Sequence, residues 1–152
     1  MDKINLAYLA GFFDGEGCVC ITQRLCYNHY NKKRGFLSYY LFITAAQCGK
    51  EGKQICKDFK LCFGGSVRIK QDKKKKHRSS YSWAVVSWLA YRFLKMVYPY
   101  LRIKKEEAEL AMEFAEKTSS YRGNNCPSEI ERIEKFSYYE TAKQEMHFLK
   151  KV

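Results

Sequence analysis

Near its start the chain changes character within four residues. Asn5-Leu6-Ala7-Tyr8-Leu9-Ala10-Gly11-Phe12-Phe13 is apolar at helical spacing, with Asp2 or Asn5 available as an N-cap. Asp14-Gly15-Glu16-Gly17 then ends the pattern, and Cys18 to Arg24 follows at once as a β-rich, partly alternating run. Gly11 and Gly15 lie four apart on one helix face and leave room for a second helix to approach closely. If the helix ends at Gly15, Glu16 falls just beyond its terminus, beside whatever the second helix supplies. A pair of such helices therefore holds two carboxylates near each other.

The rest of the chain alternates between the two periodicities. A polar loop, Tyr27 to Gly35, leads to a strand over Leu37 to Gln47, with Leu41, Ile43 and Ala45 on one face and Tyr40, Phe42 and Thr44 on the other. From Lys50 to Phe63, Ile55, Phe59 and Cys62 follow helical spacing, and Gly64-Gly65 closes that helix. Val67 to Lys70 and Tyr81 to Val86 form a second hairpin around the basic tip Asp72 to Arg78. Its returning strand leaves open whether Tyr81/Trp83 or Ser80/Ser82 faces outward. Ser87 suits the cap of a helix that reaches Tyr98 and stops at Pro99. Lys104 to Lys117 gathers Ala108, Ala111, Met112 and Ala115 on one face, and a last helix runs from Ser128, paired with Glu131 in a capping box, to about Lys150.

Four antiparallel strands with helices on one face make an α+β domain. Residues 1–117 form its core and residues 118–152 a C-terminal helical extension of the same domain. A length of 152 residues suits one domain, and 46% hydrophobic content with only two prolines excludes a disordered chain. No apolar run reaches the roughly 18–20 residues of a membrane-spanning helix, so no membrane partner is expected. The apolar part of the first segment is too short for a secretory signal. Seven cysteines, an odd number with no C-x-x-C pair, fit free thiols in a reducing, intracellular compartment better than a disulfide framework or a zinc site. Cys18 and Cys20 project to one face of their strand, as small half-buried residues or, less simply, as a soft-metal pair.

Charge is distributed unevenly. The chain carries 28 Lys and Arg against 16 Asp and Glu, a net +12, and residues 17–103 hold 18 of those cations against Glu51, Asp58 and Asp72 alone. That concentration is the footprint of a polyphosphate partner. A two-stranded β-ribbon fits the major groove of DNA, and every second residue of the sheet is placed to meet it. Thr22, Arg24, Tyr40, Thr44, Arg68 and Lys70 are the candidates along the strands. Asn28, Tyr30, Lys32, Lys33 and Arg34 supply the first loop, and Lys73, Lys75 and Arg78 the second. Arg68 suits guanine, Thr44 a base edge or thymine methyl, and the lysine run meets phosphates. Clustered carboxylates next to phosphates need a cation between them, and carboxylate and carbonyl oxygens suit hard ions such as Mg²⁺.

The stretch Leu9-Ala10-Gly11-Phe12-Phe13-Asp14-Gly15-Glu16-Gly17 resembles the signature of the LAGLIDADG homing endonucleases. The resemblance implies an αββαββα fold whose sheet saddles double-stranded DNA. A single motif implies a homodimer, with Leu9, Gly11, Phe12 and Gly15 at the helix pair and a pseudo-palindromic target. It implies metal-dependent phosphodiester hydrolysis with Mg²⁺ or Mn²⁺, held by Glu16 and the Gly15 carbonyl. Gln47 matches a residue that orders water around the scissile phosphate, and Lys104 a basic residue beside it. Asp14 reads as a structural, hydrogen-bonding residue at the motif junction. Glu51 departs from relatives that carry a basic residue there, which leaves that role to Lys50 or Lys53 or unfilled.

Members of this family are usually encoded in mobile introns, which implies an organelle (chloroplast or mitochondrion) or a prokaryotic cytoplasm. Two other functions suit the same sheet. One is a maturase-like hold on intron RNA, with Tyr27, Tyr30, Tyr40 and Trp83 stacking unpaired bases. The other is a DNA-binding regulator that does not cut.

Overall fold

A computed structural model describes residues 3–27, 35–70, 78–120 and 129–151. Helix α1 (Lys3–Glu16) enters strand β1 (Gly17–Tyr27), which pairs with β2 (Gly35–Cys48). Helix α2 (Gly49–Phe63) leads to β3 (Ser66–Lys70) and β4 (Ser80–Val86). Helix α3 (Ser87–Val97), a single 3₁₀ turn (Tyr98–Tyr100), α4 (Lys105–Ser120) and α5 (Glu129–Leu149) complete the order. The strands form one antiparallel sheet in the order β1-β2-β4-β3, which matches the αββαββα expectation.

The sheet has two unlike faces because its side chains alternate. Val19 pairs with Ile43, Ile21 with Leu41 and Ala45 with Trp83, and all six are buried beneath the helices. Trp83 is 0% exposed, stacks on Phe59 at 4.7 Å and donates its Nε1–H to the Gly64 carbonyl at 2.8 Å. This settles the open choice at β4 and corrects the stacking role offered for Trp83, whose ring lies in the core where no base can reach it. Ser80, Ser82 and Ala84 occupy the opposite face. Tyr139, Ala142 and Met146 of α5 join the same core, so the last helix packs on the sheet it follows.

Glycines set two of the connections. A Cβ on Gly17 would lie 2.2 Å from Phe13 Cδ2 and 2.4 Å from the Phe13 carbonyl oxygen, so only glycine fits where α1 turns into β1. Gly64 and Gly65 have φ of 75° and 85°, the left-handed region that glycine enters at no steric cost.

Several boundaries differ from the sequence expectation. Helix α1 continues through Glu16, so that carboxylate sits in the last turn rather than past it. Asn5 lies inside α1 and is not its cap, while Asp2 lies outside the described residues. Ser87 does not cap α3: it is the first helical residue at φ 50°, and Val86 holds the cap position with no side-chain bond. Pro99 lies within the 3₁₀ turn, after α3 has ended at Val97. Ser128, proposed to open the last helix, is outside the described residues.

Candidate nucleic-acid interface and active site

At the end of α1, Asp14 is buried, at 7% exposure. Its carboxylate accepts the backbone N–H of Arg102 at 2.8 Å, of Ile103 at 2.9 Å and of Lys104 at 2.9 Å. Burial alone raises its pKa, but those three N–H groups and the nearby Lys104 charge outweigh it and hold the carboxyl below its ordinary range. Lys104 returns the contact, since its Nζ donates to the Asp14 carbonyl at 2.6 Å. Asp14 thus has the structural role expected of it, and it brings Lys104 to the turn that carries Glu16.

Glu16 and Gly15 are exposed at that turn. Gly17 pairs with Ala45 across the sheet, so β2 runs on past the motif to Gln47. The Gln47 side chain accepts the Cys48 N–H at 2.9 Å, and a Cβ on Gly52 would meet the Gln47 carbonyl at 2.4 Å. Gln47 is therefore pinned at the sheet end against the first turn of α2.

The donor set at this turn is one carboxylate and one carbonyl, hard oxygen ligands that suit Mg²⁺ and not a soft ion. Among the described residues of one chain, no group of three or more His, Cys, Asp or Glu side chains gathers in metal-binding range.

The open sheet face carries the expected strand residues. Thr22 pairs with Tyr40, Arg68 with Ser82 and Lys70 with Ser80. Arg24, Arg68, Lys70 and Arg78 are exposed, and Thr22, Tyr40 and Thr44 half-buried. The Arg24 guanidinium lies 5.4 Å over the Tyr40 ring, a cation–π contact that holds the cation against the sheet. Thr44 donates its hydroxyl to the Trp83 carbonyl at 2.8 Å, which leaves only the oxygen lone pairs for a base. Asn28, Tyr30, Lys32, Lys33, Arg34, Lys73 and Lys75 fall outside the described residues.

The outward face of α1 is not quite the one proposed. Leu9 is 3% exposed and packs into its own chain's core, so it does not line the outward face of α1. Phe12 is half-buried, tilted against Phe59 at 5.9 Å. Gly11 and Gly15 are exposed, and a Cβ on either would meet nothing within 4 Å. Tyr8, at 65% exposure and one turn before Gly11, takes the place of Leu9 on this face.

A family model described as LAGLIDADG endonuclease matches residues 9–105, from within α1 to the first residue of α4. The chain belongs to the LAGLIDADG endonuclease family. Its fold is that of solved homing endonucleases. I-CvuI in complex with an I-CreI target is 19% identical over 97% of this chain and 82% of that one, with a TM-score of 0.71. The archaeal intron-encoded I-Vdi141I bound to DNA is 13% identical over 98% and 86%, with a TM-score of 0.67. I-TnaI is 18% identical over 95% and 97%, with a TM-score of 0.56. No curated protein sequence matches.

In this LAGLIDADG chain the Cys18–Cys20 pair, expected on one strand face, has a distant partner in Lys150. Cys18 and Cys20 are half-buried on one face of β1 with their sulfurs 3.4 Å apart. Lys150, just past α5, reaches round this edge strand to within 3.2 Å of Cys18 Sγ and 3.0 Å of Cys20 Sγ. The contact to Cys20 drives the Cys18 thiol below its ordinary pKa against the cost of burial, and Lys150 adds to that effect. Cys20 is pushed the other way, so one proton stays in the pair. A contact spanning 130 residues leaves no local signal in the sequence.

Proposed function

We propose that two copies of this chain form a site-specific DNA endonuclease that makes double-strand breaks at a long pseudo-palindromic target, using Mg²⁺ or Mn²⁺. The observation that carries this reading is the placement of Glu16. It lies exposed in the last turn of α1, next to the open Gly11–Gly15 face and the Lys104 contact to Asp14, at the end of a sheet lined with cations. Pairing α1 with its copy across that face brings two Glu16 carboxylates together.

In this arrangement Glu16 and the Gly15 carbonyl hold the divalent ion. Bound there, a divalent ion would supply Lewis-acid chemistry for phosphodiester hydrolysis. Lys104, held at the Asp14 carbonyl, presents an ammonium to charge developing on the phosphate. Gln47 orients water through its side-chain amide. Arg24, Arg68 and Lys70 hold the duplex, so binding weakens steeply with salt. I-CvuI has been crystallised with DNA in the presence of Mg, the DNA not cleaved, and in the presence of Ca, which supports divalent-metal use. The burial of Trp83 weakens the RNA-stacking alternative by removing one of its four aromatic platforms.

The test is a cleavage assay on plasmids that carry the joined sequences flanking the coding intron. Linear product with Mg²⁺ and none with Ca²⁺ supports the endonuclease. Tight binding with no cut in either ion supports the regulator instead.

A further inference from the structure

We infer that Cys18 and Cys20 form an oxidisable dithiol that takes a small hydroperoxide as its substrate and closes to a disulfide, with the Lys150 ammonium steadying the oxygen that leaves. The inference is independent of the DNA reading, since it concerns the chain with no duplex bound.

Two residues apart on β1, the two side chains point the same way. Their sulfurs stand 3.4 Å apart, in contact without a bond. Val19 and Ile21 are buried beneath the helices, so the thiols lie on the opposite, open face, across from Thr44 and Phe42. The Lys150 ammonium lies 3.2 Å from Cys18 Sγ and 3.0 Å from Cys20 Sγ, so it touches both sulfurs at once. Both thiols are half-buried rather than sealed. A cleft of about 530 Å³ opens where α5 meets β1, and Cys20, Lys143, His147 and Lys150 are among the residues that line it. A small molecule therefore has a route to the pair.

A soft metal suits this pair poorly. Among the described residues no third His, Cys, Asp or Glu gathers with the two thiols, and an ammonium already stands where a cation would sit. The same ammonium favours a neutral oxidant whose departing oxygen becomes negative. One sulfur attacks the hydroperoxide: an S–O bond forms, the O–O bond breaks, and an alcohol (water, from hydrogen peroxide) leaves with the thiol proton. The other sulfur then attacks the sulfenic acid: an S–S bond forms, the S–O bond breaks, and water leaves. The two thiols together lose two electrons and the peroxide gains them. Sulfurs already in contact make the second step intramolecular, so it outruns further oxidation. Residues two apart on a strand have Cα atoms roughly 6.4–6.8 Å apart, at the upper end of what a disulfide spans. The closed form is thus strained and readily reopened by an external dithiol.

The experiment treats the reduced full chain with an equimolar dose of hydrogen peroxide, blocks remaining thiols with iodoacetamide and maps tryptic peptides. Cys18 and Cys20 share the peptide from Ile4 to Arg24, while Cys26 and Cys48 fall on others. That peptide should appear unalkylated and lighter by two hydrogens before Cys26 or the exposed Cys48 reacts, and dithiothreitol should restore it. Cys20→Ser should stop at a sulfenic acid on Cys18, captured by dimedone. Lys150→Gln should slow oxidation several-fold, and Lys150→Arg should keep most of the rate. Oxidation of Cys48 as fast as the pair overturns the inference, and so does a peptide that gains oxygen instead of losing two hydrogens. Lys150→Gln reacting at the wild-type rate overturns the role given to Lys150.

Discussion

Asp14 and Lys104 are joined in both directions: the Asp14 carboxylate accepts the Lys104 backbone N–H at 2.9 Å, and the Lys104 ammonium donates to the Asp14 carbonyl at 2.6 Å. The motif helix and the loop before α4 are thereby locked together, 90 residues apart in sequence. The buried acid and the half-buried ammonium are held together at the end of the motif helix.

Asp14→Asn replaces one accepting oxygen with an NH₂ group facing backbone donors, so at least one N–H loses its partner. The expected cost is about 2–3 kcal/mol, as for hydrogen bonds to a buried charged group. The carboxyl titrates below its unfolded value of about 3.9, so its contribution is complete above that pH and disappears as pH falls through the lower folded value. Urea midpoints between pH 7 and pH 3 should show wild type converging on Asp14→Asn at the acid end. Parallel curves would show that ionised Asp14 contributes nothing.

Gly11→Leu separates folding from pairing. A Cβ at Gly11 meets nothing within 4 Å inside the chain, and leucine is the better helix former by up to about 1 kcal/mol. At a concentration low enough to dissociate wild type as well, the variant should melt no lower than wild type, while the side chain blocks the close approach of a second α1. Sedimentation should then report a dimer for wild type and a single chain for Gly11→Leu. A variant that stays dimeric places the interface elsewhere.

Phe59 is 0% exposed and sits between Trp83 at 4.7 Å and Phe93 at 6.1 Å. Phe59→Ala should cost about 3–5 kcal/mol in denaturant unfolding. A loss under about 1 kcal/mol would mean that the aromatic layer under the sheet repacks freely.

Cys18 should be the first thiol alkylated at mildly acidic pH, because its pKa lies below the ordinary thiol value and it is thiolate above that lowered pKa. Lys150→Gln should move its alkylation profile to higher pH. Peptide mapping after brief iodoacetamide treatment reads both, and equal labelling of Cys18 and Cys26 would contradict the account.

Much of this was legible in the chain because punctuation and periodicity agreed. Gly17 and Gly64-Gly65 marked true changes of element, and the alternation around Leu41, Ile43 and Ala45 identified the buried face of β2. The rotation of α1 was not legible. Residues 5 to 13 are apolar almost all round, so nothing local told Leu9, which is buried, from Tyr8, which is not. Ser87 looked like a cap by residue type, but it is the first residue of α3 and Val86 holds the cap position. Contacts that join distant segments, Asp14 with 102–104 and Lys150 with Cys18, depend on packing that no short window contains. The family resemblance located Glu16, Gln47 and Lys104, and the structure puts the first and last of these at one turn.

The central claim is that Glu16 is the carboxylate through which the chain cuts DNA. Its most direct measurement is single-turnover cleavage of a wild-type target in Mg²⁺ by Glu16→Gln, with affinity measured in parallel in Ca²⁺. The account predicts unchanged affinity and no detectable cleavage by the variant. Cleavage by Glu16→Gln at the wild-type rate would contradict it.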